Sequence, residues 1–250
     1  MTLFLLLLAG IFLPLFPFSM IFSAVFSRLS HPVARILLLL LWPQAGVWLL
    51  AQAGLPLASP FFVGWAIFTF LLYALRLLTV RDLFQWSAML LISATTLTWL
   101  LASTTADRLL LQQFVLWLTV APVFLVFLAE ALKVRFGAAY AGLFTGLARR
   151  LPRLSALLVF SVLAAMALPI FPAFFSMLGL MVQSPIHWGV PVLIGWLFWT
   201  WAGTRLLNGF VFGTPSQTTA TDLCLGKTLA IGLGLMSVVI LNLIWTGVTV

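Results

Sequence analysis

Residues 154–182 read LSALLVFSVLAAMALPIFPAFFSMLGLMV. The run carries no charge and exceeds the roughly 20 apolar residues that cross a bilayer as a helix. Pro169 and Pro172 lie inside it. A proline in a helix interior removes a backbone hydrogen bond and clashes with the preceding turn. Two of them three residues apart therefore break the helix. The expectation is one helix over 154–168, a turn, and a second helix over 172–185.

Working outward, apolar blocks recur near residues 3–26, 34–56, 60–80, 83–102, 109–132, 189–212 and 223–247. Barrel strands would alternate apolar and polar side chains over about ten residues. These runs are continuous, so helices satisfy their backbone groups in lipid. Of the 250 residues, 64% are hydrophobic and 6% are charged. A soluble domain carries roughly 25% charged residues, and no water-facing surface can be built from so few. The predicted fold is an all-α polytopic transmembrane helix bundle of about 8–9 spans, with one proline-broken helix and a short amphipathic linker. It is organised as a single membrane domain over 1–250. An N-terminal helix pair covers 1–56 and middle helices 57–132. A basic amphipathic linker covers 133–153. C-terminal helices fill 154–250, with the break near 169–172. The first block is too long for a signal-peptide core and lacks a basic flank, so it is read as retained.

The formal charge of +8 would suggest nucleic acid in a soluble protein. Here the cations sort by loop, and no nucleic-acid partner is expected. The first loop carries Arg28 and Arg35, the third Arg76, Arg81 and Asp82, and the fifth Lys133, Arg135, Arg149, Arg150 and Arg153. The second loop carries none. The positive-inside rule places the odd loops in the cytoplasm and the N-terminus outside. An integral, multi-pass location in a bacterial inner membrane follows as the expectation. Trp42, Trp48, Trp65, Trp86, Trp99, Trp188 and Trp245 fall near span ends and read as an interfacial belt. In the linker, Phe136, Tyr140, Leu143, Phe144, Leu147 and Leu151 recur at helical spacing, which suggests a short helix lying at the interface.

Catalytic signatures are missing. There is no phosphate-binding glycine loop, no nucleophile elbow and no zinc-protease pair. His31 and His187 lie in separate loops, and Cys224 is alone. No enzymatic activity, cofactor or metal is expected. Ionisable groups near or inside spans are the remaining candidates for an ion path or a subunit contact. They are Arg205, Glu130, Lys133, Arg76 and Lys227. Arg76, Lys133 and Lys227 can also snorkel to the interface, and Glu130 can pair with Lys133 one turn on. The block at 83–102 bears Gln85, Ser87, Ser93, Thr95, Thr96 and Thr98, read first as helix packing.

Several stretches, in order, resemble one family. Gly146 to Pro152 reads Gly-Leu-Ala-Arg-Arg-Leu-Pro, and Ala167 to Ser176 reads Ala-Leu-Pro-Ile-Phe-Pro-Ala-Phe-Phe-Ser. Arg81-Asp82-Leu83 opens a helix, residues 204–213 close one, and residues 5–15 resemble a first helix. Together they resemble the antiporter-like membrane subunits shared by respiratory complex I, multisubunit cation/proton antiporters, membrane-bound hydrogenases and inorganic-carbon uptake complexes. The resemblance covers that family's first two and roughly its last seven helices. It implies proton-relay residues, but the lysine of the Asp-Leu-Lys motif falls on Phe84 and the charged residue of the broken helix falls near Met177. Nothing titratable stands at 117–119. The resemblance thus implies an accessory, scaffolding subunit beside full-length antiporter-like subunits in a hetero-oligomeric complex, within the bilayer. Such a complex couples proton or cation flux to carbon uptake, antiport or electron transfer. An independent small permease or exporter subunit and a membrane anchor for a soluble enzyme are the alternatives.

Overall fold

The computed structural model describes residues 2–57, 59–143, 145–213 and 221–248. The elements are α1 (Thr2–Phe12), α2 (Ser19–Arg28), α3 (Pro32–Ala53), α4 (Pro60–Leu77), α5 (Leu83–Thr104), α6 (Arg108–Phe136), α7 (Leu147–Arg150), α8 (Pro152–Ala165), α9 (Pro172–Gln183), α10 (Ile186–Phe210) and α11 (Leu225–Val248). Six of these helices are long and apolar enough to cross a membrane. Two further crossings are built from broken pairs, α1 with α2 and α8 with α9.

Local chemistry sets the boundaries. Proline starts α3, α4, α8 and α9, where its missing N–H costs nothing. Asp82 and Asp107 cap α5 and α6, accepting from the N–H groups of Phe84 (3.0 Å) and Leu109 (2.8 Å), as short polar side chains do at N-caps. Gly137, at φ +79°, ends α6 in the left-handed conformation.

Helix α5 forms the axis of the bundle. It is buried along nearly its whole length and packs between α4 and α6. Helix α3 packs on α6 and carries α1 on its other side, α8 packs on α6 as well, and α10 lies against α4 and α8. Helix α11 leaves most of its face exposed.

The first apolar block corrects the sequence reading. It is not one helix over 3–26. It breaks at residues 13–18, LPLFPF, where Pro14 and Pro17 interrupt the backbone ladder. The pattern Leu-Pro-x-Phe-Pro at 13–17 recurs at 168–172, and both copies break a crossing.

Irregular backbone at membrane depth needs partners within the protein, and tryptophans supply them. The indole N–H groups of Trp42, Trp99 and Trp65 donate to the carbonyls of Ile11 (3.1 Å), Leu13 (3.2 Å) and Phe16. The Phe16 N–H donates to Thr69 Oγ1 at 3.1 Å. At the second break Trp196 donates to the Met166 carbonyl at 3.0 Å. Trp42, Trp65 and Trp99 are therefore internal donors and not members of an interfacial belt. Trp86 is fully buried as well.

The linker also departs from expectation. Among the described residues of 133–153, Lys133 and Arg135 belong to the last turn of α6, Leu147–Arg150 forms one helical turn, and Pro152 begins α8. Gly142 and Gly146 take positive φ, and their N–H groups reach the carbonyls of Gly209 (2.8 Å) and Phe212 (3.1 Å). Pairing with the end of α10 replaces the helix that the side-chain spacing suggests. Phe144 and the side chain of Trp245 lie outside the described residues.

Backbone pairs fix which loops share an end. Leu83 N–H reaches Ala139 O (3.0 Å), Ala141 N–H reaches Arg81 O (2.8 Å), and Arg135 Nε reaches Thr221 O (3.0 Å). At the opposite end Leu57 N–H reaches Ala102 O (2.8 Å). Every Lys and Arg except Arg108 thus gathers at one end of the bundle. This also settles the direction of the last crossings: α10 runs towards the basic end and α11 away from it.

Candidate functional site at the basic end

The start of α5 sits where α2, α3 and α6 converge. Phe84, 8% exposed, takes the Arg35 guanidinium over its ring at 4.2 Å and the Lys133 ammonium at 6.0 Å. The first of these cations comes from α3 and the second from α6. Cations over an aromatic face are held by its quadrupole.

Arg35 is anchored further. Its Nε donates to Leu29 O at 2.7 Å, and its guanidinium also lies 5.3 Å from the Phe26 ring. Its Nη1 is buried with no hydrogen-bond partner. Arg35 lines a cavity of about 430 Å³ together with Ser23, Ser27, Asp82, Phe84 and Gln85 among others. Burial pushes the Asp82 carboxyl above its ordinary range. The N–H of Phe84, the charge of Arg35 and the N–H of Gln85 offset part of that rise.

Glu130 lies one turn before Lys133 on α6. No ion pair joins the two, and Glu130 Oε2 is buried with no hydrogen-bond partner. The expected Glu130–Lys133 pairing is thereby replaced: Lys133 turns to Phe84. The other candidates lie apart. Arg76, exposed in the last turn of α4, covers the Tyr73 ring at 5.6 Å, which matches snorkelling. Lys227 is exposed in the first turn of α11. Arg205 is exposed near the end of α10 and lines a second cavity with Arg81. Met177 is fully buried in α9, Pro172 begins that helix, and Pro169 is exposed in the turn.

The site therefore unites Phe84, Lys133, Arg35 and Asp82, with Glu130 adjacent in sequence. At Phe84 itself no proton can be taken up or released. An arginine guanidinium does not release its proton, and a phenyl ring carries none. Sequence reading places Arg35 only among loop cations. Its position three residues after Pro32, the first residue of α3, is the signal that it belongs to a helix.

Five residues of the polar stripe of α5, Ser87, Ser93, Thr95, Thr96 and Thr98, are buried, whereas Gln85 is exposed and lines the cavity beside Arg35. Ser87 and Thr95 donate to the carbonyls four residues back, and Thr96 to the one three back. Ser93 accepts from Trp199 Nε1 at 3.0 Å and donates to Phe70 O at 3.1 Å, tying α5 to α10 and α4.

No protein-family model matches the chain, and no curated protein is similar enough to match it. Three solved structures are similar in fold. A chain of respiratory complex I from Thermus thermophilus with bound NADH matches at TM-score 0.81 and 22% identity, over 95% of this chain and 54% of that one. A chain of the Mrp complex from Dietzia sp. DQ12-45-1b matches at 0.77 and 16%, over 88% and 43%. A chain of the membrane-bound sulfane sulfur reductase (MBS), an archaeal respiratory membrane complex, matches at 0.82 and 15%, over 95% and 52%. The present chain spans about half the length of each. It has the fold of the antiporter-like membrane subunits of such complexes.

Proposed function

We propose that this chain is an accessory antiporter-like subunit of a multisubunit membrane complex, where it scaffolds full-length relatives and does not pump ions itself. The fold and the half-length match to chains of three membrane complexes support a place in such an assembly. The observation that carries the scaffolding role is Phe84. Where the family resemblance implies a lysine, a buried phenyl ring is clamped between two fixed cations. A relay needs groups that exchange protons along a continuous path, and this position cannot. The host complex couples proton or cation flux to another process. Inorganic-carbon uptake and cation/proton antiport are the processes we favour for that host. The basic end faces the cytoplasm of a bacterial inner membrane, and no enzymatic step belongs to the chain.

Glu130 is the residue that tests the absence of an ion path. Its buried oxygen has no partner, which makes it a candidate for proton movement. Replacing Glu130 with glutamine in the host complex is expected to leave assembly intact and ion transport within about two-fold of the wild type. A transport loss of ten-fold or more in a fully assembled complex would show that the chain conducts.

A further inference from the structure

None of the four acidic residues of the chain lines the cavity that Arg81 and Arg205 share. Asp82 and Asp107 cap α5 and α6. Asp222 accepts from the backbone N–H groups of Arg153 (3.0 Å), Leu154 (3.2 Å) and Leu223 (2.7 Å). Glu130 lies within α6 with one oxygen unpartnered. Arg81 and Arg205 meanwhile line one cavity of about 250 Å³ at the basic end, with no carboxylate on its walls. The chain crosses this cavity at Ala141, Gly142 and Gly209. Gly142 leaves open space, since a Cβ there would meet nothing within 4 Å, whereas Gly209 packs closely on Ala141 and holds the loop to α10.

The depth of the cavity identifies its ligand. Arg205 lies five residues before the end of α10, about 7 Å inside it at 1.5 Å per residue, within snorkelling reach of the headgroup layer. One and two turns back on the same face stand Trp201 and Leu197, 55% and 64% exposed. An apolar stripe thus leads directly into a doubly basic pocket. A membrane supplies one anion with acyl chains attached at this level, the phosphate of an anionic phospholipid. Basic pockets between helices on the cytoplasmic side take such headgroups, and guanidinium forks match phosphate oxygens.

We infer that Arg81 and Arg205 form a binding site for the phosphate headgroup of an anionic phospholipid, its acyl chains lying along Leu197 and Trp201. This goes beyond scaffolding and does not depend on it.

The test is a titration of the purified full chain, in mild detergent, with phosphatidylglycerol, phosphatidylcholine and inorganic phosphate. Binding is read by native mass spectrometry and by the thermal midpoint. The wild type is expected to retain and be stabilised by phosphatidylglycerol over phosphatidylcholine. The double variant R81Q/R205Q should bind it about 30-fold more weakly, at about five-fold per basic residue. Both side chains are exposed, so the unliganded variant is expected to keep the wild-type thermal midpoint, and R108Q at the opposite end should bind as the wild type does. Equal responses to both lipids, an unchanged R81Q/R205Q affinity, or a matching response to inorganic phosphate alone would overturn the site. So would a partner subunit's carboxylate occupying it in the assembled complex.

Discussion

Replacing Trp99 with alanine is expected to destabilise the protein by about 4 kcal/mol, within the range for removing a buried tryptophan. Trp99 is fully buried and stacks on Phe62 with ring centroids 5.4 Å apart and planes 9° apart. Its N–H also satisfies Leu13 O inside the first helix break. Trp99→Phe separates the two contributions, because it keeps an aromatic ring against Phe62 and removes only the donor. A buried carbonyl left unsatisfied costs about 1–3 kcal/mol, so this variant should lose roughly 2 kcal/mol. Thermal unfolding in detergent measures both. Hydrogen exchange localises the effect: backbone amides between residues 10 and 17 should lose protection first. Uniform loss along all helices would mean that Trp99 acts by packing alone.

Gly46→Val is expected to cost about 3 kcal/mol, at the upper end for overpacking. A Cβ at Gly46 would stand 2.6 Å from Leu13 Cγ and 2.9 Å from the Leu13 backbone nitrogen. Backbone cannot rotate aside as a side chain can, so α3 must separate from the break it supports. Gly179, in α9, provides the contrast, since a Cβ there meets nothing within 4 Å. Gly179→Ala should leave the melting midpoint unchanged or raise it slightly, because alanine favours the helix. Similar melting losses in the two variants would show that the break does not rest on α3.

These two variants bear on what a sequence reveals. The long spans are legible because apolar run length follows directly from bilayer thickness. α3, α4, α5, α6, α10 and α11 begin and end within a few residues of their apolar blocks. The break at Pro169 and Pro172 is legible from proline spacing. The break at Pro14 and Pro17 becomes legible only when its Leu-Pro-x-Phe-Pro pattern is set beside the later copy. Tryptophans near span ends suggest an interfacial belt on composition alone. Their true partners, the carbonyls of Ile11, Leu13 and Phe16, lie on another crossing that no local pattern points to.

The site was partly legible in the same way. Phe84 stands out because the family resemblance implies a lysine there. Its two cations come from α3 and α6, which only tertiary packing brings to α5. Glu130 and Lys133 read as a helical pair because three-residue spacing permits it. In the fold, Lys133 turns to an aromatic face and the carboxylate is left within α6. Arg205 reads as an intramembrane charge from its span, and it stands five residues before the end of α10, where an arginine can snorkel towards the headgroups.

The most direct measurement is gentle-detergent purification of the tagged chain from its native membrane, with mass spectrometry of the proteins that accompany it. Stoichiometric recovery of a full-length antiporter-like subunit is the expected result, and its further partners would name the coupled process. Recovery of the chain alone, or as a homo-oligomer, would contradict the scaffolding role and indicate an independent permease.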